Sequence, residues 1–463
     1  MKAKRKGKAR QLRRERAQLE QINLFAAGID IGSRSHFVAV PADLTAEPVR
    51  EFASFTGDLH RLADWLVELG IQTVAMESTG VYWIPLYEIL EGRGLEVVLV
   101  DARHVRNVPG RKSDVLDCQW LQQLHSYGLL RGAFRPPEAM VPLRAYLRQR
   151  ERLIGEASDC IRHMQKALRQ MNLLLDTVVS DITGVTGLAI IRAILAGERD
   201  ARQLARLRDR RCHADERTIV GSLEGHYREE HLFELGQAVE RYDFHQQQIL
   251  ACEAAIKQHL GQIDQAAGDG QPPPARKKPK GNSKNDFAFD ARSPLFHLTG
   301  IDLTEISGMS EGTVLTVLAE TSLDLSTWPT EKHFCSWLSL SPGSKVSGGK
   351  RLSGKTKPSA NRAAAAFRMA AYSLANSKTA LGAFYRRLKA RLGAAKALTA
   401  AAHKLARIFY HVLKTKTPFV DTGQSQYETQ YRDRVTRSLK KRAASLGFQL
   451  IPLPQDTPQN ATT

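Results

Sequence analysis

Long apolar runs are missing from this 463-residue sequence. No stretch approaches the roughly 20 residues that a bilayer-crossing helix needs, and the N-terminus is a lysine and arginine run without the apolar region of a signal peptide. These absences speak against a helical membrane protein and lead us to expect a cytoplasmic chain with no membrane partner. Cysteine is also sparse: Cys118, Cys160, Cys212, Cys252 and Cys335 are scattered and form no C-x-x-C pair. That spacing argues against a zinc knuckle and against a secreted disulfide framework. Acidic residues are in deficit, 48 against 67 lysines and arginines, which leaves a formal net charge of +19 and a pI near 9.8. A polyanion is then the natural partner, because cations bound to phosphates release condensed counterions. Nucleic acid leads that class, although composition alone also allows a basic surface that serves only solubility.

The length exceeds that of one hydrophobic core, so two or three domains are expected. Residues 1–20 hold nine basic residues against two acidic ones, and 1–22 read as a disordered or partly helical arm that grips phosphates without reading sequence. Over 23–135, the runs LFAAGIDI, HFVAVP and VREFAS predict three antiparallel strands. The helix DLHRLADWLVELG, the strand QTVAME, the helix VYWIPLYEILEGRG, the strand LEVVLV and a helix from near Lys112 follow. The order β-β-β-α-β-α-β-α is that of the ribonuclease H-like α/β fold, in which two acids lie on neighbouring central strands and the last helix brings more.

Residues 136–263 predict a helical coiled-coil region. One seam runs through Leu143, Leu147, Arg150, Ile154, Ala157, Ile161, Met164, Leu168, Met171 and Leu175. A second follows Leu232, Leu235, Val239, Tyr242, Gln246, Ile249, Glu253, Ile256 and Leu260. The two helices either pair as an antiparallel hairpin or join another protomer. ITGVTGLAIIRAILAG, between the seams, is similar to ISGMSEGTVLTVLAE at 306–320. Both suit either a helix-hairpin-helix phosphate grip or a glycine turn between packed helices. Residues 264–292, with Pro272 to Pro274 and a lysine-rich stretch, read as a linker. Residues 293–420 read as a mainly α domain interrupted by the polar loop SPGSKVSGGKRLSGKTKPS, and 421–463 as a weakly ordered tail.

Two sets of residues carry candidate chemistry. Asp30 lies inside a strand, where a charge is costly unless it meets a cation or donors. Glu77 ends another strand, and Asp114 and Asp117 share a helix face at i, i+3. Four such acids suit Mg²⁺, which prefers hard oxygen ligands and in pairs stabilises both the attacking and leaving oxygens of phosphoryl transfer. Singly, each acid has a plainer explanation, as a helix N-terminal charge or a turn cap. In the second set, Ser347 sits in KVSGGKRLSGK among Lys345, Lys350 and Arg351, with Lys355, Lys357 and Arg362 extending the basic, nucleic-acid-binding patch. A flexible phosphate grip is the simpler reading of this loop and a serine nucleophile the second. Ser344 and Ser353 compete with Ser347 for that role.

The motifs GIDIG, MESTGVYWIPLYEIL, GRKSDVLDCQWLQQL, ISGMSEGTVLTVLAE, FCSWLSLSPG and SGGKR together resemble the DEDD-type insertion-sequence transposases, the bridge-RNA-guided recombinases, over roughly residues 24–418. The resemblance implies a RuvC-like domain whose acids are Asp30, Glu77, Asp114 and Asp117, joined through a coiled coil to a transposase domain with Ser347 as nucleophile. It implies a phosphoserine intermediate, Mg²⁺ with Mn²⁺ as substitute, and double-stranded DNA at element ends and target. It further implies a structured guide RNA, a dimer or tetramer with composite active sites, and a nucleoid location in a prokaryote. The chain departs from the family pattern in an enlarged region between the seams, an enlarged lysine-rich linker, and Ala360-Asn361 where the family has Gly-Asn. The rival readings are a RuvC-like nuclease or junction resolvase without a serine nucleophile, and a non-catalytic nucleic-acid scaffold. An actin-like ATPase is a further rival, suggested by GIDIGS but lacking a second Asp-x-Gly-x-Thr loop.

Overall fold

The structure is a computed structural model that describes residues 20–100, 114–267, 272–276, 283–343 and 345–451, with Asp114, 264–267, Lys345, Val346 and Arg351 described for their backbone alone. Most of the basic arm, Ser344, parts of the expected linker and the last twelve residues lie outside this description. The chain divides into two compact units, Met1–Arg135 and Pro136–Thr463. Among the described residues no helix is long and apolar enough to cross a membrane.

The first unit is an α/β layer. Its strands are β1 (Ala26–Ile31), β2 (Ser35–Ala39), β3 (Val49–Ala53), β4 (Thr73–Glu77) and β5 (Glu96–Val100). The spatial order is β3-β2-β1-β4-β5, with β1 antiparallel to β2 and parallel to β4, and β4 parallel to β5. Helices α1 (Thr56–Glu68), α2 (Trp83–Gly92) and α3 (Asp114–Ser126) complete the predicted order. This is the ribonuclease H-like, RuvC-like arrangement expected from the sequence.

The two faces of the sheet differ. Side chains alternate along a strand, so Ala27, Ile29 and Ile31 of β1 and Val74 and Met76 of β4 point to one face. There they form a core with Leu59, Leu62 and Leu66 of α1 and Leu86 and Leu90 of α2. The other face carries Gly28, Ala75 and Val100, and it packs against Leu121 of α3.

The second unit is almost entirely helical. Helix α4 (Val141–Gln170) is followed by α5 (Val185–Leu195), α6 (Ala201–Ala205) and α7 (Glu216–Leu223), and then by α8 (Glu229–Ala267). Helices α4 and α8 pack side by side within one chain. Arg150 meets Glu253 and Glu156 meets His245, so the pair is antiparallel, one of the two arrangements left open by the seams. The buried stripe on α4 is Leu143, Leu147, Arg150, Leu153, Ala157, Cys160, Met164 and Leu168. Leu153 and Cys160 therefore take the central places expected for Ile154 and Ile161, which are only partly buried. The core around α4 also takes in Ile190, Ile194, Leu204 and Ile219 of the shorter helices, so its buried face is wider than a single two-position seam.

Arg150 and Glu253, polar members of the two seams, form one buried network. Arg150 Nε donates to Glu253 Oε1 at 2.8 Å, and Arg150 Nη2 donates to the Asn285 carbonyl at 2.9 Å. The Ala288 N–H donates to Glu253 Oε2 at 2.8 Å, and the Phe287 ring lies 4.2 Å from the Arg150 guanidinium carbon. The end of the segment read as a linker is thus seated on the helix pair. A buried ion pair with its remaining donors and acceptors satisfied tolerates few alternative registers.

Beyond it lie α9 (Arg292–Thr299), α10 (Glu311–Thr321) and α11 (Glu331–Trp337), then the hairpin of β6 (Lys345–Ser347) and β7 (Lys350–Ser353). Helices α12 (Arg362–Ser373), α13 (Ala380–Leu392), α14 (Ala394–Thr415) and α15 (Gly423–Ser445) follow. Alanines on α12 and α14 let these helices close around Phe334, Phe367 and Phe409, which are fully buried. Arg144 Nε and Arg148 Nε both donate to the Glu320 carboxylate, at 2.9 and 2.8 Å, and tie α10 to α4. The loop expected around Ser347 is a β-hairpin, and the segment expected as a tail carries α15.

Replacing Glu253 with Ala leaves a buried guanidinium without its carboxylate, at a cost of about 3–5 kcal/mol. We expect a lower urea midpoint for the second unit. The double variant Arg150→Met, Glu253→Met should regain part of the loss because it leaves no buried charge. An unchanged midpoint for Glu253→Ala would refute the register role of this pair.

Candidate functional site

Strand alternation places the acids before any helix is considered. The register pairs Ile29 with Met76 across β1 and β4, so the next residues, Asp30 and Glu77, are neighbours at the carboxyl ends of two parallel strands. Both share the parity of Gly28 and Ala75 and so belong to the face that α3 covers. Asp30 and Glu77 are both half-buried. Carboxyl ends of parallel strands are where ligands meet open α/β sheets. The Ser78 N–H and hydroxyl both donate to the Val100 carbonyl, at 3.0 and 3.1 Å, which fixes the chain just past Glu77. Thr79 Oγ1 donates to Glu77 Oε1 at 3.3 Å.

Helix α3 lies against this face in a series of rungs. Thr73 Oγ1 meets His125 Nε2 at 2.8 Å, and Gln122 Nε2 donates to the Ala26 carbonyl at 3.3 Å. At the next rung a Cβ on Gly28 would fall 2.2 Å from the Gln122 nitrogen and 2.5 Å from the Cys118 oxygen. Only a residue without a side chain permits this approach. One turn further, Asp117 is half-buried and Cys118 is fully buried. Burial pushes the Cys118 thiol up to about 12, and the next cause is the Asp30 carboxylate, with Asp117 a smaller one. Acids from β1 and α3 thus act on the same thiol and favour its protonated form.

This donor set suits a hard divalent cation: carboxylate oxygens on adjacent strands, with a helix bringing another. Among the described residues no three carboxylate, imidazole or thiol groups are gathered closely enough to grip an ion, and the Asp114 side chain lies outside them. The structure therefore brings Asp30 beside Glu77 and Asp117 to the same face, and Asp114 begins the same helix.

The serine region belongs to the other unit. Ser347 pairs with Lys350 across Gly348 and Gly349, whose φ values of +54° and +75° meet the demand of a two-residue type I′ turn for left-handed backbone at both positions. Ser347, Gly348, Gly349 and Lys350 are exposed. The Ser353 hydroxyl accepts the Lys355 N–H at 3.3 Å, whereas the Ser347 hydroxyl has no partner among the described residues. Lys355 and Lys357 are exposed. Lys345 and Arg351 occupy the strands, but their side chains lie outside the description. Arg362 is not a free cation, because it pairs with Glu151 of α4. Asn361, of the Ala360-Asn361 departure, caps α12 by accepting the Ala364 N–H at 2.9 Å. In the two glycine-containing segments, a Cβ on Gly308 would fall 2.7 Å from the Ala370 carbonyl and one on Gly187 2.3 Å from the Ile182 carbonyl, so both glycines sit where the backbone is closely packed.

The seat at Gly28 and the pairing of Arg362 were not read from the sequence. The first had a signal in the GIDIG motif, where a glycine interrupts a strand. The second joins residues 211 positions apart and had none.

Comparison with known families matches both regions. A model for the DEDD transposases of IS110, described as Transposase, matches residues 27–173. A model described as Transposase IS116/IS110/IS902 family matches residues 302–386. Together they take in half of the chain; the first contains the four acids and the second contains Ser347. No curated protein matches the chain.

A Gly28→Ala substitution should push α3 off the sheet, with an overpacking cost of about 1–3 kcal/mol. Faster amide exchange in residues 114–126 and a lower melting temperature are the expected readouts. Wild-type protection of α3 in that variant would contradict the seating described.

Proposed function

Because the chain belongs to the IS110 family of DEDD-type transposases, enzymes that act on the DNA of insertion sequences, we propose that it cuts and rejoins DNA through a phosphoserine on Ser347. The observation that carries this reading is the exposed Ser347 hydroxyl at a hairpin tip, cross-strand from Lys350, while the competing Ser353 is already engaged. Ser347 Oγ gives up its proton and attacks the phosphorus of a strand, an oxygen–phosphorus bond of that strand breaks, and the leaving oxygen takes up a proton to become a free hydroxyl. Rejoining reverses the exchange with another strand's hydroxyl and frees the serine. Lys350, with Lys345 and Arg351 in the same hairpin, neutralises phosphate charge, and Lys355 and Lys357 extend that grip along the backbone. Arg362 would contribute after exchanging Glu151 for phosphate.

The carboxylates of Asp30, Glu77, Asp114 and Asp117 would hold Mg²⁺, or Mn²⁺ in its place. When bound, the ion supplies charge to orient and polarise a phosphate or the nucleophile. The guide in this reading is a structured noncoding RNA paired to donor and target, supported by the family resemblance and the +19 net charge. Assembly as a dimer or tetramer with composite active sites completes it.

Two measurements test the proposal. Ser347→Ala should abolish both recombination and the covalent protein–DNA adduct, a loss on the order of 10³-fold or more. Recombination that persists without an adduct would instead support hydrolysis by the carboxylates alone, as in a junction resolvase. Asp30→Asn and Glu77→Gln should each weaken Mn²⁺ binding at least ~10-fold, read by electron paramagnetic resonance, with circular dichroism unchanged. Retained Mn²⁺ affinity in both variants would dismiss these acids as ligands.

A further inference from the structure

Helix α15 lies beyond residue 386, the last one that either family model matches. Its first half is anchored on α13. The Ala380 N–H donates to Asp421 Oδ1 at 3.0 Å, and Arg386 Nη2 donates to Gln424 Oε1 at 2.8 Å. The Arg387 guanidinium carbon stacks over the Tyr431 ring at 3.4 Å and over Tyr427 at 5.0 Å. Gln424, Tyr427 and Tyr431 form one stripe at helical spacing. Helix α13 ends at Leu392, and α15 continues. No residue of α15 is buried, and over 436–445 only Ala443 is even partly covered.

This second half carries a charge pattern that the helix itself does not need. Arg432, Arg434, Arg437, Lys440, Lys441 and Arg442 stand against Asp433 alone, and none of the six joins an ion pair among the described residues. Like charges at three- and four-residue spacing repel and destabilise an exposed helix. Arg434, Arg437 and Lys441 fall at i, i+3 and i+7, so they share one face, and all three are exposed. A projecting single helix with an unneutralised basic face calls for a polyanion of matching width. With side chains an α-helix is about 10–12 Å across. The B-DNA major groove is about 12 Å wide, whereas the major groove of duplex RNA is deep and narrow and excludes a helix.

We propose that α15 is a second grip for double-stranded DNA, which enters the major groove with Arg434, Arg437 and Lys441 against the phosphates. The inference rests on the reading that the chain works on DNA, but not on the serine chemistry or the carboxylates. The grip is remote in sequence from Ser347 and holds flanking duplex rather than the reacting strand.

The test is fluorescence anisotropy of the full chain with a 30-base-pair duplex of arbitrary sequence over a sodium chloride series. The variant Arg434→Glu, Arg437→Glu, Lys441→Glu is compared with Arg202→Glu, Arg206→Glu, Arg210→Glu, which reverses three exposed cations elsewhere. We expect the α15 variant to bind at least ~10-fold more weakly at 0.1 M salt, with the slope of log affinity against log salt reduced by about 2–3, while the control loses less than ~3-fold. The neutral triple Arg434→Gln, Arg437→Gln, Lys441→Gln, with helix content checked by circular dichroism, should show the same order with a smaller loss. Equal losses in α15 variant and control overturn the proposal, as does unchanged binding. So does a greater loss on duplex RNA than on DNA, or a change in sedimentation without a change in DNA binding, which would assign the helix to a second copy. A wild-type chain that binds no duplex DNA overturns this inference and the proposed function together, while wild-type binding that survives the substitutions overturns this inference alone.

Discussion

The buried pair of Arg150 and Glu253 is the interaction on which the second unit is organised. Two long apolar stripes can slide past one another at little cost, because one leucine resembles the next. A guanidinium and a carboxylate with fixed partners cannot slide. Once Arg150 faces Glu253, the chain returning at 285–288 has a seat made of one carbonyl acceptor, one N–H donor and an aromatic face. Further toward the start of α4, Arg144 and Arg148 then stand where Glu320 meets them. The transposase region is thereby referenced to the same helix.

In the first unit the corresponding constraint is the missing side chain at Gly28. Backbone atoms of α3 occupy the space that a Cβ would fill, so the helix sits unusually low on β1. That height sets where Asp117 stands relative to Asp30 and Glu77. Strand parity and one glycine thus account for acids of two strands and a helix belonging to one face of the sheet.

Much of this was legible in the sequence. The β-rich runs LFAAGIDI and QTVAME identified the strands, and the order of elements identified the ribonuclease H-like fold. The first seam was read one position off at Leu153 and Cys160, because α4 is covered by the shorter helices as well as by α8, and that second cover leaves no mark in a two-position repeat. The pairing of Arg150 with Glu253 spans 103 residues, and no local pattern reports it. The hairpin around Ser347 had its signal in the Gly-Gly turn, but its strands are only three and four residues long and rich in lysine and serine. Helix α15 is polar nearly all round, so it lacks the apolar stripe by which helices are recognised. Among the acids, Asp30 inside one strand and Glu77 at the end of another were legible singly, whereas their standing side by side comes from the register of β1 and β4. That the Ser353 hydroxyl accepts the Lys355 N–H is a matter of three-dimensional contacts.

The glycine pair at the hairpin tip has a consequence for how this region tolerates change. A two-residue turn fixes strand register, and in a ribbon with alternating faces a shift of one position carries every following side chain to the opposite side. Ser347 and Lys350 are opposite each other only because two residues, both left-handed, separate them. A single inserted or deleted residue there would move the hydroxyl away from its cation even with both residues still present. The loop is therefore more sensitive to its length than to the identity of the charges around it.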